Sequence, residues 1–333
     1  MAMTTESEGE VERPLSSANE GIPGLLRHAQ RFQGLAGLAL LFLVAFFVDR
    51  QHFFSRGNFA NVLNQLATPG LLAVGMTFVI LTGGIDLSAG SLLGLLNCVA
   101  ATWLVAKAST SLTIGWVLLL STGVGGLLGW LVSTTKVQPF IVTLAAMVSL
   151  RGIAYVYTNS GTVSGLGESL DFLIKPFMGV PLNAWIMLAM TACAAVLLSK
   201  TVLGRRIYAI GGNEQAAHYS GVPTTRTRAI AYALNGLFIG MAALIFTARN
   251  ANGDPSAGQG YELDAITAVV VGGTMLSGGV GTVAGTFFGA LFIVCLNVLL
   301  ILKGVNTYVG MGWKGLIILL SVYLQTIGQR RTT

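Results

Sequence analysis

This chain is short of charge. Asp, Glu, Lys and Arg make up only 10% of its 333 residues, against about 25% in an average soluble domain. A surface of that size cannot be covered for water with so few charges. Cysteine and histidine are equally scarce, at three each. Cys98, Cys193 and Cys295 all lie inside apolar runs. They offer neither a disulfide framework nor metal-ligand spacing, and they read as small buried hydrophobes. His28, His52 and His218 are scattered. No metal and no cofactor is therefore expected. Nucleotide and hydrolase motifs are missing too. No Gly-x-x-x-x-Gly-Lys-Ser/Thr loop is present, since Gly279–Thr286 has the glycines but no lysine to reach a phosphate. There is no His-Glu-x-x-His or Gly-x-Ser-x-Gly either. The chain is not expected to be an enzyme. The net charge of +6 and pI of 9.4 raise the question of nucleic acid. No basic run is dense enough for that, and cationic cytoplasmic loops of a membrane protein account for the excess.

What is abundant is apolar and small. Hydrophobic residues are 53% of the chain, glycine is 43 of 333, and the mean hydropathy is +0.74. Small residues let membrane helices approach closely. The fold class is all-α, a polytopic membrane helix bundle of one domain. Apolar runs fall near 34–48, 66–82, 87–106, 112–132, 139–157, 183–199, 228–248, 263–277, 281–302 and 307–326. A full span takes about 20 residues. Ten segments are therefore expected, with 34–48 short and 263–277 a half-helix or re-entrant piece ending at Ser277-Gly278-Gly279. The membrane domain is 34–326, between an N-terminal tail (1–33) and a C-terminal tail (327–333), both cytoplasmic. The tail's start, MAMTTESEGEVERPLSS, is acidic and polar. It is expected to be disordered and has no signal-peptide pattern. With both ends inside, the inner regions hold Arg205, Arg206, Arg226, Arg228, Arg330 and Arg331 with others. The outer loops hold only Arg50, Arg56, Lys107, Lys175, Arg249 and Lys303. That bias supports the orientation.

The stretch Gly75–Leu95, GMTFVILTGGIDLSAGSLLGL, does not suit a helix facing lipid. A carboxylate in hydrocarbon costs several kcal/mol or more, and Gly-Gly breaks at membrane depth need protein or water around them. Asp86 therefore belongs inside the bundle near a pathway. It reads either as a helix cap for a segment starting at Leu87 or as a residue of the transport path. Gly83, Gly84, Ser88, Gly278 and Gly279 are pathway or gate candidates with it. A shift of 195 lays 73–94 over 268–289, matching Gly83 and Gly84 with Gly278 and Gly279, while Asp86 meets Gly281. Two copies counted this way run in the same direction across the membrane. Arg151 reads either as a cation satisfied by carbonyls or outer-leaflet water or as a tether for a gate or neighbouring helix. Trp103, Trp116, Trp130, Trp185 and Trp313 lie toward segment ends, as an interfacial belt would.

The polar stretch 204–228 is the longest on the inner side. Its core reads as a short helix. Asn213 is the N-cap, Glu214 sits in the first turn, Gly221 takes C′ and Pro223 follows. As residues alone, this is a surface helix held by anionic lipid or a docking element. Ala216 and Ala217 would let it lie close inside a groove.

Residues 82–91, TGGIDLSAGS, resemble the signature of permease subunits of bacterial ABC importers for ribose and other monosaccharides. Thr143–Met147 with Arg151-Gly152 resembles a further motif of that family. So do Gly260–Ile266, Val271–Thr274 and Ser277–Gly279. The pattern Gly204, Arg205, Gly211, Gly212, Asn213, Ala216, Ala217, Ser220 and Gly221 resembles its coupling helix, although His218-Tyr219 departs from the basic-then-aliphatic pair expected there. The resemblance runs from about 35 to 326. It implies a permease that docks a separate cytoplasmic ABC ATPase through 204–228 and a periplasmic sugar-binding protein outside. It also implies a second permease subunit, commonly another copy, with the monosaccharide path between the two. The outer loops 158–182 and 249–262 are the docking candidates, with Asp254, Glu262 and Asp264. The bilayer is the remaining partner. Rival readings are a permease for branched-chain amino acids or nucleosides, and an ion-coupled transporter. The second usually needs several intramembrane carboxylates or histidines.

Overall fold

The computed structural model describes residues 33–135 and 137–306, with scattered positions between 309 and 319. The expected segment 307–326, both tails, Lys136 and Trp313 lie outside the described residues in whole or in large part. The described part is helical. The elements are α1 (Gln33–Phe53), α2 (Arg56–Leu81), α3 (Ala89–Val105), α4 (Thr110–Thr134), α5 (Pro139–Tyr157) and α6 (Leu182–Lys200). They continue with α7 (Val202–Gly212), α8 (Glu214–Tyr219), α9 (Thr224–Asn250), α10 (Tyr261–Val271) and α11 (Val283–Leu302). Seven of these are long and apolar enough to cross a membrane, and α3 is a shorter apolar helix. Each apolar run from 34 to 302 thus has its helix. The half-helix expected over 263–277 is α10, which is shorter and ends at Val271. The short run 34–48 continues to Phe53 through a kink at Asp49. There Asp49 pairs with Lys303 at 3.1 Å, tying the outer ends of α1 and α11.

α2, α3, α9 and α10 form the interior. α2 is buried from Leu66 to Leu81 at every position except Pro69, which is half-buried. α1, α4, α5 and α6 are peripheral and turn large apolar side chains outward, among them Phe47, Leu119, Val148 and Val196. Exposed apolar surface on that scale belongs against lipid or another subunit. α4 and α9 pack along small residues. A Cβ on Gly125 would meet the Tyr232 carbonyl, and one on Gly236 the Ser121 carbonyl. Glycine at these positions lets the two backbones touch.

Strands are few and lie outside the helices. Val163–Ser164 pairs antiparallel with Asn252–Gly253. A hairpin joins Pro176–Phe177 to Val180–Pro181. Trp103 and Trp116 stack edge to face near the outer ends of α3 and α4.

Candidate functional site at the inner mouth

Three chain breaks meet at the end of the bundle that the charge bias assigns to the cytoplasm. The first is Thr82–Ser88, between α2 and α3. The second is Gly272–Thr282, between α10 and α11. The third is Gly211-Gly212, at the end of α7. The Gly279 N–H donates to the Leu81 carbonyl at 3.0 Å. Gly83 and Gly278 both have positive φ, +76° and +89°, and pack on each other. Only glycine takes that conformation cheaply and leaves room for a second backbone. These two residues are equivalents under the shift of 195. The two copies do run the same way, since their ends meet. A Cβ on Gly211 would strike the Leu81 carbonyl and the Gly279 amide. The glycines read as pathway candidates and those read as coupling residues are therefore in direct contact. Beside them opens a cavity of about 580 Å³ whose lining includes Thr82, Ser133, Gln138, Asn213, Arg228 and Ser277.

The first break is pinned from several sides. Asp86 is buried. Its Oδ1 accepts from the Ser88 N–H at 2.9 Å and the Ser88 hydroxyl at 2.6 Å. Its Oδ2 accepts from Asn235 Nδ2 at 2.7 Å. The helix starts at Ala89, not Leu87, and its N-cap position is Ser88. Asp86 thus does not cap the helix directly. It fixes the residue that precedes the helix and ties the break to α9. The Thr143 hydroxyl donates to the Ile85 carbonyl at 3.0 Å, and the Tyr232 ring covers Gly84. Asn235 and Tyr232 were not singled out by sequence. Asn235 carried a signal: it is a polar residue in the middle of the apolar run 228–248.

The coupling stretch has one helix more than expected. Thr201 accepts from the Gly204 N–H at 3.2 Å and caps α7. Ile207 and Ile210 of α7 are buried while Arg205 and Arg206 are exposed. Gly204 sits against the Leu198 carbonyl, where the chain folds back from α6. Spacing of apolar residues at 203, 207 and 210 after a threonine was the available sign of this helix. α8 is the short helix expected. The Asn213 side chain accepts from the Ala216 N–H at 2.9 Å, and Gly221 follows with φ +80°. The two alanines part company here: Ala216 is exposed, whereas Ala217 is buried against the chain's own bundle. Ser220 and Gly221 are exposed. Arg228 of α9 pairs with Glu214 at 2.8 Å, and its Nε is buried without a hydrogen-bond partner.

The outer loop 249–262 is corrected by the structure. After Asn250 the chain turns inward along α3. Asn97 donates to the Asn252 carbonyl at 2.8 Å and accepts from the Asp254 N–H at 2.7 Å. Further down, the Ala257 carbonyl packs on Gly94, and the Gly258 carbonyl and the Glu262 carboxylate pack on Gly90. Glu262 and Asp264 are thus in the first turn of the buried half-helix α10, not on an outer surface, because the half-helix starts deep. Arg151 Nη1 donates to the carbonyls of Pro255 and Ala257 at 2.5 and 2.7 Å. It is both satisfied by carbonyls and a tether for this segment.

Comparison with known proteins identifies the family. The chain is 44% identical to the ribose import permease protein RbsC of Escherichia coli K12 over 291 residues, covering 86% of this chain and 91% of that one. It is 42% identical to RbsC of Bacillus subtilis 168, covering 89% and 92%. It is 33% identical to the xylose transport system permease protein XylH of Escherichia coli K12, covering 100% of both. No solved structure matches. The family model described as the permease component of the branched-chain amino acid transport system matches residues 58–322, and the chain belongs to that family of multi-pass membrane transport permeases.

Proposed function

We propose that this chain is the membrane-spanning subunit of an ABC importer in the bacterial inner membrane that carries a monosaccharide, a pentose such as ribose, inward. The relatives named for ribose and xylose import support the substrate class. The observation that carries the mechanism is the contact of Gly211 with Leu81 and Gly279. It links an exposed, capped helix at the cytoplasmic surface to both glycine breaks at the inner mouth. An ATPase seated on α8 and on the exposed residues Arg205, Asn213, Ala216, Ser220 and Gly221 moves α7, and α7 bears directly on the breaks. Energy then comes from a separate subunit, and the chain itself hydrolyses nothing.

The second subunit is another copy of this chain. α5 buries only Thr143, Leu150 and Ala154, and Ala145, Ser149 and Gly152 lie in line on its exposed side. Small residues in that arrangement allow close helix approach. The periplasmic binding protein meets 158–182, where Phe177 and Met178 are exposed; Asp254, drawn inward onto Asn97, is left out of that surface. A second reading, import of a branched-chain amino acid, has the family model's description in its favour.

The test is reconstitution in liposomes with the ATPase and binding protein. ATP-driven uptake of ribose or xylose, with none of leucine, is the expected result. Leucine uptake would install the second reading. Sugar accumulation by the chain alone on a proton or sodium gradient would refute the ABC assignment.

A further inference from the structure

The inward-running segment 251–260 breaks a rule of membrane structure unless something specific lies beside it. Its depth follows from its contacts with α3. Val105 is the outer end of α3, and Lys107 follows it. Gly94 is eleven residues below Val105, about 16 Å at 1.5 Å per residue, and Gly90 is about 22 Å below. The Ala257 carbonyl lies at Gly94 and the Gly258 carbonyl at Gly90. In a hydrocarbon layer about 30 Å thick, this places the segment at the middle of the membrane. It is not helical there. α10 begins only at Tyr261, after Gly258 and Gly260 at φ +71° and +82°.

One edge of the segment is well packed. Gly253, Pro255, Ala257 and Gly258 are buried, and Arg151 takes up the Pro255 and Ala257 carbonyls. The other edge is bare. Ser256 and Gln259 are exposed. Irregular backbone facing lipid does not occur at this depth; it must face protein or a water-filled cavity. The exposed side chains are a hydroxyl and an amide rather than aliphatic groups. The outer faces of α4 and α5 are mainly apolar, with Leu119, Val148 and Val156 among their exposed residues.

We propose that the bare edge of 253–260, with Ser256 and Gln259, is part of the wall of a water-filled solute path at mid-membrane. The Gln259 carboxamide offers donors and an acceptor, and the Ser256 hydroxyl, which itself donates to Asp254 Oδ1 at 2.8 Å, still offers an acceptor; such a polar edge suits a polyhydroxylated solute. Arg151 acts as a positioning residue: it holds the edge in place from α5 and is not itself in the path. This deepens the transport reading above and rests on it.

The probe is a membrane-impermeant, positively charged methanethiosulfonate, added to both faces of liposomes holding the full complex. Ser256→Cys and Gln259→Cys are compared with Leu119→Cys on the exposed face of α4, all in a Cys193→Ser background that also serves as the control, because Cys193 is exposed while Cys98 and Cys295 are buried. Labelling at 256 and 259 is expected to be at least about tenfold faster than at 119, as water beside the segment requires. Saturating ribose should slow it, and the attached cation should block uptake. Labelling as slow as at Leu119→Cys would overturn the proposal, whether a dry contact with a second copy or lipid covers the edge. Hydrogen exchange on the unmodified complex guards against misfolded variants. The amides of 256–260 should exchange well ahead of those of α3. Protection equal to that of α3 would also overturn it. Uptake by the unmodified complex, measured alongside, separates failure of this inference from failure of the transport reading.

Discussion

Replacing Asp86 tests how the first break is held. Asp86 accepts three hydrogen bonds in a buried site, from the Ser88 N–H, the Ser88 hydroxyl and Asn235 Nδ2. Asn235 Oδ1 is buried and has no partner of its own. That vacancy makes the two obvious substitutions differ. In Asp86→Leu the Ser88 N–H and the Asn235 amide group lose their acceptor. The Ser88 hydroxyl, which can rotate, is left out of the count. Two buried donors left unmade cost about 1–3 kcal/mol each. The sum is a large part of the 5–15 kcal/mol that typically holds a native domain together. In Asp86→Asn the new side-chain oxygen keeps both Ser88 bonds. Its new amide group would face Asn235 donor to donor, but Asn235 can turn over and present Oδ1 instead. The new amide then donates to Asn235 Oδ1, while Asn235 Nδ2 takes over the position that has no partner; one Asn235 atom is unpartnered before and after, and the loss is mainly that of charge-assisted over neutral hydrogen bonding, about 1 kcal/mol. Uptake normalised to permease in the membrane should therefore fall modestly for Asp86→Asn and be nearly abolished for Asp86→Leu. Thermal unfolding of the purified protein should fall in the same order. The exchange Asp86→Asn with Asn235→Asp keeps a carboxylate–amide pair and should behave like Asp86→Asn alone. If Asp86→Asn transports as poorly as Asp86→Leu while remaining folded and inserted, the negative charge itself matters and the hydrogen-bond account is wrong.

Three further outcomes follow from the same geometry. Ala216→Glu should abolish co-purification of the ATPase without lowering the amount of permease, because Ala216 is exposed on α8; Ala217→Glu should lower the amount of permease, because Ala217 is buried. Gly211→Ala should reduce uptake into liposomes sharply, since the added methyl collides with the Leu81 carbonyl and the Gly279 amide, whereas Gly212→Ala, with open space around it, should transport close to the unmodified level. Glu214→Gln should cost little stability, about 0–1 kcal/mol by thermal or denaturant unfolding, because Glu214 is half exposed in its pair with Arg228 and water screens it.

Much of the bundle was legible because lipid enforces simple rules. Length and apolarity alone locate the apolar helices from 34 to 302, though not α7, and the charge bias points the breaks at 83–84 and 278–279 to one side. Both breaks do lie together there. Local chemistry also sufficed for α8, where Asn213 and Gly221 mark the two ends. What sequence could not reach were relations across the chain. Asp86 has a signal of its own, but its partner Asn235 is 149 residues away. The contact between Gly211 and the breaks depends on α6 turning back into α7 at Gly204, and the glycines at 204 and 211 look like any other glycines in a chain so rich in them. Ala216 and Ala217 differ only in which way a two-turn helix faces.

The misreading of 249–262 has a physical cause that bears on function. Hydropathy treats a polar, proline- and glycine-bearing stretch as a loop, and loops as surface. That inference holds only if each residue must satisfy its polar groups from water or from its own helix. Here the stretch N-G-D-P-S-A-G-Q-G at 252–260 satisfies them from the bundle. Asn97 meets both an N–H and a carbonyl, and Arg151 meets two carbonyls. Two polar residues stranded in apolar helices are thus the complement of a polar segment that had no evident place in the membrane. Asn97 and Arg151 are each costly alone at such depth, as is the segment. Brought together they offset one another along the packed edge, and only the edge bearing Ser256 and Gln259 remains to be accounted for.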